Sequence, residues 1–193
     1  MDDRRSIPRE TLTLVPAGTV AAVSIDRTHQ FSKTPRLSVI LIAGRGIEGD
    51  AHSGPFVKHQ YLARRDPRTL NLRQVHLIPR ETLATLHSVG YEIEPGELGE
   101  NITTAGLELE SFPLHTELRI GASAYVLLTG LRTPCILIDR FRAGLKNRLV
   151  TGDFDRPFKA GVMAVVTGSG EVTAGDAIQA VLPATPHQPL PAI

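Results

Sequence analysis

At 193 residues the chain has room for one ordinary domain with short tails, and it can bury a core without disulfides or structural metals. Hydrophobic residues make up 41% and charged residues 21%, with a formal net charge of +1, which argues against a disordered polyelectrolyte and against a strongly basic nucleic-acid binder. The single cysteine excludes an internal disulfide and an iron–sulfur cluster assembled by this chain alone.

The opening MDDRRSIPRE lacks the apolar stretch of a secretory signal, and apolar runs such as 39–43 are strand-sized, so a cytoplasmic protein without membrane insertion is expected. Proline and polar residues dominate 1–18 and 183–193, which are expected to be an N-terminal extension and a Pro-rich tail around a folded body at 19–182. Within the body the apolar runs are short and β-branched: TVAAVSI, LSVILIA, QVHLI, ELRI, SAYVLLTGL, GVMAVVTG and AIQAVL, separated by glycine-containing turns. This pattern predicts a mainly β (α+β) fold, an antiparallel barrel or sandwich with a few short helices. Residues 80–89 (RETLATLHSV) carry Leu83, Leu86 and Val89 at helical spacing with Gly90 as a stop.

After the second strand, Gly44-Arg45-Gly46-Ile47-Glu48-Gly49 matches the G-x-G-x-x-G of dinucleotide sites. The context fails. Asp50-Ala51-His52-Ser53-Gly54-Pro55 follows, with no helical period to receive a pyrophosphate, so a glycine-rich loop near a pocket is expected instead. Asp50, His52, His59 and His76 form a loose set of candidate metal ligands, although histidines this scattered fit surface or hydrogen-bonded roles as well. The stretch 95–104 (PGELGENITT) reads either as a structured loop or as amide and hydroxyl donors for a polar ligand.

Leu131-Arg132-Thr133-Pro134-Cys135-Ile136-Leu137 carries the most chemistry. Threonine before proline predicts an N-cap and first helical residue, with a helix over 136–143 closed by Gly144 and Cys135 in its first turn. A helix N-terminus and the Arg132 cation would favour a thiolate, which is both a nucleophile and a soft metal ligand. Taken alone, a lone cysteine reads first as a small buried hydrophobe, and PCILI could be a core strand.

The order of these signals resembles the MOSC family across nearly the whole body. The matching elements are Gly-Ile-Glu-Gly-Asp-Ala-His-Ser-Gly at 46–54, Arg-Gln-Val-His-Leu-Ile at 73–78, and Gly-Glu-Asn-Ile-Thr-Thr-Ala-Gly-Leu at 99–107. Leu-Arg-Ile-Gly at 118–121, Arg-Thr-Pro-Cys at 132–135 and Gly-Val-Met-Ala-Val-Val at 161–166 continue the series. The chain is similar to the stand-alone bacterial type, whose relatives include the C-terminal domain of molybdenum-cofactor sulfurase and the mitochondrial amidoxime-reducing component. The resemblance implies a β-barrel-like fold and a pocket for the molybdenum cofactor (molybdopterin). Cys135 would be the catalytic residue, ligating molybdenum or carrying sulfur as a persulfide. It implies reduction of N-hydroxylated or similar small substrates or, as the alternative, a non-redox sulfur carrier or cofactor-delivery role. Candidate cofactor contacts are Lys33, Arg73 and Arg132 for anionic groups and Asn101 and Thr103 as neutral donors, with Asp50 and His52 as additional pocket residues. A desulfurase domain would not fit this length, so covalently bound pyridoxal phosphate is not expected. The expected partners are a separate electron-donor protein or a sulfur-donating desulfurase, and no nucleic acid.

Overall fold

The computed structural model describes residues 14–57, 66, 68–154 and 156–193, with the side chains of 14–17 left aside. Eleven strands run in chain order as β1 (Leu14–Ile25), β2 (Thr34–Arg36), β3 (Ser38–Ile42), β4 (Gly46–Ile47), β5 (Val75–Pro79), β6 (Ile102–Ala105), β7 (Glu117–Ile120), β8 (Ala124–Leu131), β9 (Val162–Gly168), β10 (Gly170–Thr173) and β11 (Ala177–Val181). Three short α-helices, α1 (Arg80–Ser88), α2 (Ile136–Phe141) and α3 (Leu145–Arg148), and one 3-10 turn (Leu109–Ser111) complete the elements of the described residues. Strands in the order β11-β7-β8-β9-β5-β6-β1 close into a seven-stranded barrel through pairing of β1 with β11. Strand β2 hangs on β1, and β10-β3-β4 form a small second sheet. The mainly β fold read from the sequence is therefore the one observed. One barrel pair departs from the antiparallel rule: β5 and β6 are parallel, and α1 lies in the crossover between them.

Alternation of side chains explains how the wall separates two cores. Val75 and Leu77 of β5, Val162, Ala164 and Val166 of β9, and Val126 and Leu128 of β8 belong to the barrel core. Ile78, one residue out of step on β5, joins Leu83 and Leu86 of α1 and Ile138 of α2 in a second cluster outside the barrel. Both faces of β5 are thus covered, and all five of its residues are buried. His76 and Met163 face each other across β5 and β9 with the out-of-step parity, which places them on the outer face of the wall.

Four local expectations are corrected. Leu14–Gly18, assigned to the N-terminal extension, belong to β1 and pair with β11. Val89 caps α1 rather than extending its buried face, and is 47% exposed. The helix after Thr133 begins later than Thr-Pro implied: α2 starts at Ile136 with Cys135 as its N-cap. The reason is long-range pairing. The Arg132 N–H donates to Gly161 O at 3.0 Å and the Thr133 N–H to Ile193 O at 3.1 Å, so strand-like bonding runs past the end of β8. Gly144 does not close α2, which ends at Phe141; it adopts a left-handed conformation as the N-cap of α3. The C-terminal tail lies along this same stretch, with Leu190 buried in the barrel core and Ala192 bridged to Leu131. Among the described residues no helix is long and apolar enough to cross a membrane.

Candidate functional site

A cleft opens on the outer face of the barrel wall, where His76 and Met163 form its floor and Arg132, Cys135, Arg73 and His52 contribute polar lining. Strand parity delivers these groups: Leu131 points into the barrel core, so the next residue, Arg132, points outward beside the β9 entry. Gly161, at that entry, has φ of 84°, and a Cβ there would collide with the Leu77 carbonyl oxygen. Only glycine lets the chain press this close to β5 while its carbonyl holds the Arg132 N–H.

Arg132 is the least compensated group of the cleft. Its Nη1 is buried without a hydrogen-bond partner among the described residues. Burial pulls the guanidinium below its ordinary pKa, opposed by the nearby Cys135 sulfur and the Glu100 carboxyl, while Arg73 adds like charge. Burial lowers Arg73 similarly, again opposed by Cys135. Two guanidiniums therefore act electrostatically on one partly exposed sulfur. Leaving a buried donor unmade costs roughly 1–3 kcal/mol, more for a charged group, so the arrangement is one that an anionic ligand would stabilise.

Size does not select this cleft. A groove near Glu110 and Arg148 is larger, ≈ 480 Å³ against ≈ 170 Å³, but none of the buried unpartnered side-chain atoms among the described residues belongs to its lining.

The other sequence-predicted residues divide between cleft and scaffold. Lys33 and Asn101 line the cleft, yet both are engaged by Asp50: Lys33 Nζ and Asn101 Nδ2 donate to Asp50 Oδ2 at 2.7 and 2.9 Å. Asp50 itself is buried and does not line the cleft. Burial acts to raise its pKa, but contacts with His52 and Lys33 outweigh it and hold the carboxyl well below the usual range. Thr103 is not in the cleft; its hydroxyl donates to Glu100 Oε1 at 3.2 Å, out of contact with solvent. The glycines expected near the Cys135 pocket do not line it; Gly46 lies in β4, and only His52 of that loop reaches the cleft. His59 lies outside the described residues. Among the described residues no group of three or more His, Cys, Asp or Glu is placed to hold a metal ion. A single protein sulfur suits a metal that brings its remaining ligands with it.

Residues beyond the expected set are Met163, Asn71 and, beneath the cleft, Glu100. Glu100 is fully buried with Oε2 unpartnered among the described residues, and burial raises its pKa despite bonds from Gly96 and Thr103. His76, weighed as a metal ligand, instead has Nε2 at 2.8 Å from Ala160 O. Burial, helped by Arg132, lowers its pKa from 6.5 to about 3. The unfolded chain therefore binds a proton at the ordinary value that the folded chain refuses until about pH 3, so stability falls as pH drops through this interval. Urea midpoints are expected to decline between pH 6.5 and 4 and to decline less in His76→Gln. Equal slopes for both proteins would contradict this assignment.

Residues 49–179 match the MOSC domain, well over half of the chain. The chain belongs to the MOSC family. MOSC domains are associated with binding of the molybdenum cofactor. Among solved structures, the YUAD protein from Bacillus subtilis is similar, at 20% identity and a TM-score of 0.73, over 89% of this MOSC chain and 100% of that one. YiiM from Geobacillus stearothermophilus is similar at 17% identity and a TM-score of 0.64, over 90% and 80% of the two chains. YiiM from Escherichia coli matches at 19% identity and 0.57, over 88% and 73%. These likenesses show a shared fold. No curated protein matches by sequence.

Proposed function

We propose that the cleft holds a molybdenum cofactor with Cys135 as the thiolate ligand, and that this MOSC protein reduces small N-hydroxylated or similar substrates with electrons from a separate donor protein. The observation that supports this most is the buried, unpartnered Nη1 of Arg132 in a cleft that also presents Arg73 and Cys135. Such a lining fits a group that carries both phosphate-like negative charge and a thiophilic metal. Arg132 and Arg73 would hold the anionic portion and Cys135 the metal. Lys33 and Asn101 contribute less directly, because each already donates to Asp50, and Asn101 also to the Ser24 carbonyl. When bound, the cofactor supplies two-electron redox chemistry and an open position for substrate.

One observation favours a second reading. Cys135 is partly exposed and is followed by Ile136 and Leu137, 56% and 42% exposed, an apolar surface beside the thiol that suits transfer of persulfide sulfur from a desulfurase. Metal and pterin analysis of anaerobically purified protein separates the two. Stoichiometric molybdenum with pterin is expected; cyanolysable sulfur on Cys135 without molybdenum would replace the reductase reading with the carrier.

A further inference from the structure

Asp50 and His52 form a pair that the binding role leaves unused. Asp50 Oδ1 accepts the His52 backbone N–H at 2.9 Å and lies 3.3 Å from the ring Nδ1, while Oδ2 is taken by Lys33 and Asn101. Asp50 is thus a fixed anion with both oxygens engaged. The peptide of His52 is pinned as well, since Asn71 Nδ2 donates to its carbonyl at 2.9 Å. His29 meets the ring edge-on, with centroids 5.1 Å apart and planes at 89°. Unlike Asp50, His52 reaches the cleft, its side chain 36% exposed, and its Nε2 has no hydrogen-bond partner among the described residues.

A carboxylate beside Nδ1 favours the tautomer protonated there and leaves Nε2 to accept and return a proton. We infer that His52 is the proton-exchanging residue of the cleft and that Asp50 is its positioning residue. This rests on the reductase reading above. Reduction of an N-hydroxylated substrate breaks the N–O bond, takes two electrons from an external reductant protein and consumes two protons. His52, doubly protonated, gives its Nε2 proton to the departing oxygen, which leaves as water, and the ring relaxes to the neutral Nδ1-protonated tautomer; the second proton, from solvent, goes to nitrogen. The partly exposed ring regains its proton from bulk water.

Among the described residues, the titratable and charged groups around the ring are Asp50 at Nδ1, His29 at its edge, Lys33 behind Asp50, and Asp26, whose carboxyl acts on Asp50 through space. Around the cleft stand Arg73, Arg132, His76 and Cys135.

His52→Gln in the molybdenum-loaded protein is expected to lower kcat about 100-fold with little change in KM, because positioned acid–base groups contribute at least that much. It should also remove the imidazole limb of the pH–rate profile and respond to added imidazole, at unchanged molybdenum content. Nitrogen NMR of the histidines, which needs neither cofactor nor turnover, should show His52 protonated on Nδ1 in the wild type, with that preference lost in Asp50→Asn. A neutral wild-type ring protonated on Nε2 instead of Nδ1, or a His52→Gln protein with full molybdenum, unchanged kcat and an unchanged pH profile, overturns the inference. A wild type that lacks molybdenum and reductase activity overturns the function and the proton role together, while the NMR arm still decides whether Asp50 orients the ring.

Discussion

Cys135→Ser is expected to keep the fold, with a melting temperature close to wild type, and to lose nearly all bound molybdenum and N-hydroxy reductase activity. The sulfur is partly exposed at the cleft rather than packed in either core, so a hydroxyl of similar size there can be hydrated and need not be buried unpaired. Its backbone role survives as well, because the Ile138 N–H bonds to the Cys135 carbonyl, which serine retains. The chemistry does not survive. An alcohol is a harder and far less acidic ligand than a thiol and cannot carry persulfide sulfur. Arg132 and Arg73 would then face the cleft without the sulfur that both interact with. Melting temperature, molybdenum content and activity measured on one preparation decide the matter. A mutant destabilised by about 1–3 kcal/mol, as expected for burying an unpaired hydroxyl, that retained full molybdenum and full specific activity would make Cys135 a packing residue and remove the basis of the proposed function.

The parts of this molecule legible in the sequence are those governed by local periodicity. Alternation in the run at 161–168 separates Val162, Ala164 and Val166 from Met163, and the same reading of QVHLI puts His76 opposite Val75 and Leu77. The barrel and the floor of the cleft follow from that parity. Strands β2, β4 and β10 are not legible, because two to four residues carry too little pattern, and β6 lies in a stretch that also reads as a loop. The start of α2 departs from the Thr-Pro signal because partners remote in sequence, Gly161 and Ile193, hold Arg132 and Thr133 extended. Thr103 illustrates the same limit. Its hydroxyl suggested a ligand contact, yet the side chain is spent on Glu100, a buried acid that no spacing rule singles out.

The other large effect is expected at Lys33, whose partner could not be read from the sequence. Nζ lies 2.7 Å from Asp50 Oδ2, and the two side chains are 5% and 1% exposed. Removing one member of a buried ion pair strands the other charge, which typically costs about 3–5 kcal/mol, so Lys33→Met should lower unfolding free energy by that order at pH 7. The sign of the pH dependence tests the cause. In the wild type Asp50 is held well below its ordinary value, so its contribution is present above the unfolded carboxyl pKa and is lost only as pH falls through the depressed folded one. Without Lys33, burial acts on Asp50 with weaker opposition and its folded pKa rises, so acid neutralises the stranded charge at an accessible pH. The gap between wild type and Lys33→Met should therefore narrow as pH is lowered from 7 to 4. The double mutant Lys33→Met/Asp50→Asn should recover only part of the loss, because the carboxylate also anchors the His52 peptide and Asn101. Urea unfolding of the three proteins across this pH range gives the answer: a gap that stays constant with pH, or one below about 1 kcal/mol as for a solvent-screened pair, would mean that Lys33 and Asp50 do not form the buried anchor on which the His52 side of the cleft depends.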